Sequence, residues 1–185
     1  MKTVTASKKE IVRKAQEYID SFPDGITVAI AYNEDTALLN FKGKKTIEVM
    51  DCSGLLSDRF HYDVSVNQYD GEDIDLAVLG LGYKAQIGFN EVGTPYDSTK
   101  HNQKLTDNTK EEYSVFGPVP DMGVTLGIGD LVKAKNIMVL ALGTKRAEAV
   151  YNMLYARDDS IVPAAFLQLP RNVIVFADED AGSKL

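Results

Sequence analysis

Cysteine, histidine, long apolar runs and basic charge are all scarce in this sequence, and each scarcity removes a class of protein. One cysteine, Cys52, stands among 185 residues. No disulfide framework can form within one chain, and Cys52 is expected to be a small buried hydrophobe. The two histidines, His61 and His101, show no paired metal-ligand spacing and lie in no motif with a carboxylate that would orient them. They are read as surface or core residues, and neither a metal nor a cofactor is expected. No apolar run approaches the roughly 20 residues that span a bilayer. The opening MKTVTASKKEIVRKAQEYI lacks the continuous apolar stretch of a signal peptide. The expectation is a cytoplasmic protein with no membrane partner. The net charge of −7 argues against a nucleic-acid partner, which asks for a basic face. It also repels a sugar phosphate mildly, so any such site needs local cations.

What is present fits one α/β domain. Hydrophobic residues make up 44% and charged residues 25% of the chain, an ordinary composition for a folded domain. Ser7 and Glu10 form the Ser-x-x-Glu pattern of a capping box. Ile11, Ala15 and Ile19 succeed it at helical spacing, and Pro23-Asp24-Gly25 ends that helix. Strands are expected at 27–32, 46–50, 75–81, 136–142 and 172–177, with a short edge strand around Val64 and Val66. Val124 to Leu126 reads as a short extended segment. Helices are expected at 129–131, from Ala147 to Leu154, and at 163–169. Residues 57–74 are hard to place, and 94–120 show no clear period. A loop that long tends to carry function or cover a site. Apolar strands alternating with helices predict an open, mostly parallel sheet with helices on both faces.

The segment LGLGYKAQIGFNEVGTP (79–95) marks the expected site, because parallel sheets bind ligands beyond the carboxyl ends of their strands. Gly80-x-Gly82-x-x-Ala85 formally matches a dinucleotide fingerprint. That fingerprint requires a helix to start at the glycines and hold a pyrophosphate. Residues 86–95 make a poor helix, with Gly88, Gly93 and Pro95 among them. The plain alternative is a tight loop after a central strand, with Glu91 solvated or capping nearby backbone.

Leu79 to Glu91 resembles the active-site loop of the glucosamine-6-phosphate deaminase/isomerase family, Leu-Gly-x-Gly-x-Asp-Gly-His-Ile-Ala-Phe-Asn-Glu-Pro. Thr125 to Leu131, Leu142 to Ala147 and Phe166 to Leu169 resemble further family segments in order. The likeness runs over 72–180 and is closer to the deaminases than to the related 6-phosphogluconolactonases. Residues 1–71 match loosely and are much shorter. The resemblance implies a Rossmann-type fold of the deaminase/isomerase kind and a small-molecule sugar or sugar phosphate as ligand. It leaves a homo-oligomer open. It places Gly80, Gly82, Asn90, Lys145 and Arg146 at the substrate, and Asp51, Lys84, Gln86 and Glu91 at the family's catalytic positions.

The chemistry at those positions has changed. The family opens a pyranose ring, moves a proton between C2 and C1, and expels ammonia; such steps need groups that titrate near neutral pH. Lys84-Ala85-Gln86 stands where the resemblance puts Asp-Gly-His, and Gln86 cannot exchange a proton. Asp51 can serve as a C2 base or cap the next element. Asn33-Glu34-Asp35-Thr36-Ala37 aligns with the family's Thr-Gly-Gly-Thr-Pro phosphate loop, with acids in place of glycines. Val115 falls where the family has an arginine. Lys145 and Arg146 keep the basic position, and one or the other is expected to face an anion. Three readings stay open: a sugar-recognising relative with impaired or lost catalysis, a non-enzymatic scaffold retaining the fold, and an enzyme rebuilt around Asp51, Lys84 and Glu91.

Overall fold

Alternating side chains split each central strand between two cores. In the strand Thr27–Ala31, Val28 and Ile30 join one core, and Ala29 and Ala31 the other. Leu76 and Val78 face the first core, Ala77 and Leu79 the second, as the twofold period of a strand requires. Both faces are therefore covered, and the strands read as continuous apolar runs. A computed structural model describes residues 1–51, 66–67, 69–157 and 161–185.

In chain order the strands are β1 (Lys2–Ala6), β2 (Thr27–Ala31), β3 (Lys45–Glu48), β4 (Met50–Asp51), β5 (Val66–Asn67), β6 (Leu76–Gly80), β7 (His101–Lys104), β8 (Met122–Thr125), β9 (Asn136–Ala141) and β10 (Val173–Asp178). The helices are α1 (Lys8–Asp20), α2 (Asp107–Tyr113), α3 (Ile128–Leu131) and α4 (Ala147–Tyr155). Seven parallel strands form the main sheet in the order β1-β10-β9-β6-β2-β3-β5. A small antiparallel sheet, β4-β8-β7, stands apart from it. After β2 the chain runs outward to β3 and β5, then returns to place β6 on the other side of β2. The direction of winding thus reverses between β2 and β6, and that is where an open α/β sheet leaves a crevice.

The expected α/β architecture is observed, with local differences. Ser7 precedes α1 but its side chain caps nothing; Glu10 pairs instead with Lys14 at 2.9 Å. Buried Ile11, Ala15 and Ile19 anchor α1 to the sheet. The apolar run 46–50 divides: Lys45–Glu48 stays in the main sheet, and Met50–Asp51 crosses to the small one. The stretch 94–120 holds β7 and α2. Its periodicity is hidden by polarity, since Thr109 and Glu112 share the buried face with Tyr113. β1, unmarked by any apolar run, is an edge strand whose side chains are mostly exposed. Val66 lies in β5 at the sheet edge, while Cys52, His61 and Val64 lie outside the described residues. Among the described residues no helix is long and apolar enough to cross a membrane.

Candidate functional site

The crevice at the β2/β6 switch is built from a turn. Asn33, just beyond β2, accepts the backbone N–H groups of Asp35 and Thr36 on its Oδ1, each at 3.0 Å. Such Asx turns let a short side chain stand in for backbone. Thr36 Oγ1 closes the turn by accepting the Asn33 N–H at 2.9 Å. The turn aims Asp35 across the end of β6 toward β9. There Asp35 Oδ2 accepts the Leu142 N–H at 3.0 Å and the Arg146 Nε–H at 2.5 Å.

Arg146, immediately before α4, is the largest fully buried side chain among the described residues. Its Nη1 also donates to Glu112 Oε1 at 2.8 Å and to the Leu81 carbonyl at 2.5 Å. Glu112 Oε2 in turn accepts from Gln86 Nε2 at 2.9 Å and from the Tyr83 N–H at 3.1 Å. Gln86 Oε1 takes the Lys84 N–H at 2.9 Å. One connected network thus joins the ends of β2, β6, α2 and β9. Burial pushes the Asp35 carboxyl above its ordinary value, although the Arg146 charge and the Leu142 N–H oppose the shift. Burial works against the charge on Arg146 as well, but Asp35 and Glu112 outweigh it and hold its pKa up. A buried guanidinium between two carboxylates is the arrangement that keeps a desolvated charge tolerable.

The two glycines of the loop serve this packing. A Cβ on Gly80 would lie 2.2 Å from Asn33 Cγ, and one on Gly82 would lie 2.1 Å from Gln86 Cδ. Ala85 adopts φ +58°, the described non-glycine residue with positive φ. It occupies the place where the resembling family has glycine, and a left-handed backbone is costly with a Cβ.

The remaining expected site residues whose side chains are described have other partners or stand in solvent. Lys84 is exposed. Glu91 Oε1 accepts the backbone N–H and the hydroxyl of Thr106 at 3.1 and 3.2 Å. Thr106 caps α2, so Glu91 acts as the plain alternative anticipated, holding backbone. Asn90 donates to the Ile87 and Leu126 carbonyls at 2.8 and 2.9 Å. Its buried Oδ1 has no partner among the described residues. The Asp51 backbone pairs with Val124; its side chain lies outside what is described. Val115 is exposed beyond α2. His101 Nδ1 lies 2.7 Å from the Thr99 carbonyl on the small sheet.

For the basic pair the outcome divides. Arg146 lines the cleft, with its Nε–H spent on Asp35 and its Nη1 donors on Glu112 and the Leu81 carbonyl. Lys145 is exposed at the rim, 5.2 Å from the centre of the Tyr83 ring. Between them opens a cleft of about 440 Å³, lined among others by Lys8, Glu34, Asp35, Tyr83 and Leu142. Glu112 is the functional residue that sequence reasoning missed. The signal was the spacing of Thr109, Glu112, Tyr113 and Phe116, a helical stripe with one carboxylate on it. Among the described residues no cluster of three or more metal-ligating side chains occurs.

No family model matches the chain. Curated glucosamine-6-phosphate deaminases are similar to it. That of Halalkalibacterium halodurans is 39% identical over 128 residues, 67% of this chain and 51% of that protein. That of Clostridioides difficile is 41% identical over 129 residues, 68% of this chain and 51% of that protein. The chain therefore spans about half the length of the curated relatives it matches. Among solved structures, a monomeric glucosamine-6-phosphate deaminase superposes with a TM-score of 0.79 at 23% identity, covering all of both chains. The 6-phosphogluconolactonase of Trypanosoma brucei gives 0.74 at 14% identity, covering all of this chain and 98% of that one. These two likenesses concern the fold.

Proposed function

We propose that this chain, a homologue of the glucosamine-6-phosphate deaminases, is a cytoplasmic protein that recognises a sugar or sugar phosphate and has lost the relatives' ring opening and deamination. The homology supports a sugar-phosphate isomerase/deaminase-like ancestry for the crevice between β2 and β6. One observation carries the loss of chemistry: the Gln86 amide is buried and fixed at both ends, donating to Glu112 and accepting from Lys84. A titrating group at that place would have Glu112 to orient it, as an acid/base catalyst requires. An amide there can hold a sugar hydroxyl but cannot carry a proton from one atom to another.

The rebuilt-enzyme reading draws no support from the geometry, since Lys84 is exposed and Glu91 is held by Thr106. Binding is the property to test. Calorimetric titration of the purified protein with glucose, glucosamine and their 6-phosphates should give saturable heat for at least one. That heat should disappear in Gln86→Leu with the fold intact by circular dichroism. Four flat titrations would refute the reading.

A further inference from the structure

The network at the switch point is also a filled anion site. Asp35 brings a carboxylate to one backbone N–H, from Leu142, and one guanidinium, from Arg146. That donor set is what a protein offers to a bound carboxylate or phosphate group. The next N–H, from Gly143, is taken by Asp178 Oδ1 at 2.9 Å. Both backbone donors just beyond β9 therefore point at carboxylates of the chain itself.

We infer that Asp35 is a specificity-determining residue: its carboxylate occupies the anion cradle formed by Leu142 and Arg146, so the cleft takes an uncharged sugar and rejects a phosphorylated one. The inference deepens the sugar-binding reading and rests on it for the nature of the ligand. Charge supports it. Glu112 adds a second buried carboxylate against the single Arg146 cation, and Glu34 lines the same cleft. A phosphate dianion entering there would be desolvated beside them, while the Leu142 N–H and the Nε and Nη1 donors of Arg146 are already engaged. Lys8 and Lys145 line the cleft too, but cations on flexible stems in water hold an anion weakly. A neutral sugar meets no such opposition, and Glu34 and Tyr83 line the cleft beside it.

Removing the Asp35 carboxylate should vacate the cradle. Thermal unfolding of the full chain would be followed with inorganic phosphate, and with sodium chloride at equal ionic strength as control. Wild type is expected to show the same midpoint in both. Asp35→Gly should gain about 2–4 °C in phosphate, as a ligand that binds only the folded state raises stability. Asp35→Ser, which keeps a small hydroxyl in the turn, serves as the second variant and should gain in the same direction. Phosphate stabilising wild type as much as either folded variant would overturn the inference. So would a folded variant that phosphate leaves unmoved. A parallel arm with glucose, an uncharged sugar, separates the two claims. Its failure to bind wild type counts against neutral-sugar recognition, whatever phosphate does, whereas the phosphate arm alone judges the role of Asp35.

Discussion

The two ends of the parallel sheet place charge in opposite ways. At the amino-terminal end, Asp75 accepts Lys135 Nζ at 2.7 Å and the Thr27 N–H at 3.0 Å, tying β2, β6 and the approach to β9 at the surface. Lys45 pairs with Glu72 nearby, also in reach of water. These groups stay solvated, and the partnership lowers the Asp75 carboxyl below its ordinary value. At the carboxyl end, Asp35, Arg146 and Glu112 are withdrawn from water, and burial raises the Asp35 carboxyl instead. Surface pairs contribute little either way, but buried ones are costly to assemble and more costly to break. The same residue type thus holds the sheet together at one end and shapes the crevice at the other.

The largest test of this contrast is Arg146→Met. It strips the cation from two buried carboxylates and should cost about 3–5 kcal/mol in urea unfolding. A loss no greater than that of a surface pair would erase the difference between the ends. The aspartates should then differ in the sign of their pH dependence. Asp75 has a lowered folded pKa, so its contribution is complete above the ordinary value of 3.8 and fades as the pH falls through the depressed one. Asp75→Asn should therefore cost about 1 kcal/mol at pH 7 and progressively less in acid. Asp35 has a raised folded pKa, so ionising it opposes folding, and stability falls as the pH climbs from 3.8 through the raised value. Relative to Asp35→Asn, wild type should lose stability over that rise. Parallel slopes for the two pairs would break the comparison. The smallest effect is expected at Ala85. Ala85→Gly relieves a left-handed backbone but loosens the unfolded chain, for a net gain of up to about 1 kcal/mol by calorimetry.

The strands at the two ends were legible for different reasons. β2, β6, β9 and β10 are apolar runs that nothing else accommodates, so their place in a parallel sheet could be read directly. The reversal between β2 and β6 could not, because it depends on which strand returns beside which. The loop 79–91 announced itself through its glycines, and the structure gives Gly80 and Gly82 a steric reason: Asn33 and Gln86 pack where their Cβ atoms would be. Arg146 read as a residue for a ligand's anion because sequence spacing cannot show two carboxylates converging on it from 34 and 111 residues away. α2 was obscured by the polar residues that make the network. Threonine and glutamate on a buried face mimic a loop, and only their partners reveal why they are inside.

Gln86 stands where a titrating group would be needed, and the proposed loss of catalysis rests on it. Ammonia release from glucosamine-6-phosphate by the purified wild-type protein tests that most directly, against a heat-inactivated control. The expected result is no release above the control from pH 6 to pH 9, since general acid–base transfer supplies about 10²–10⁴-fold in such steps and the amide forfeits it. Sustained release by wild type, abolished by Glu91→Gln or Asp51→Asn, would contradict that loss and establish a rebuilt active site.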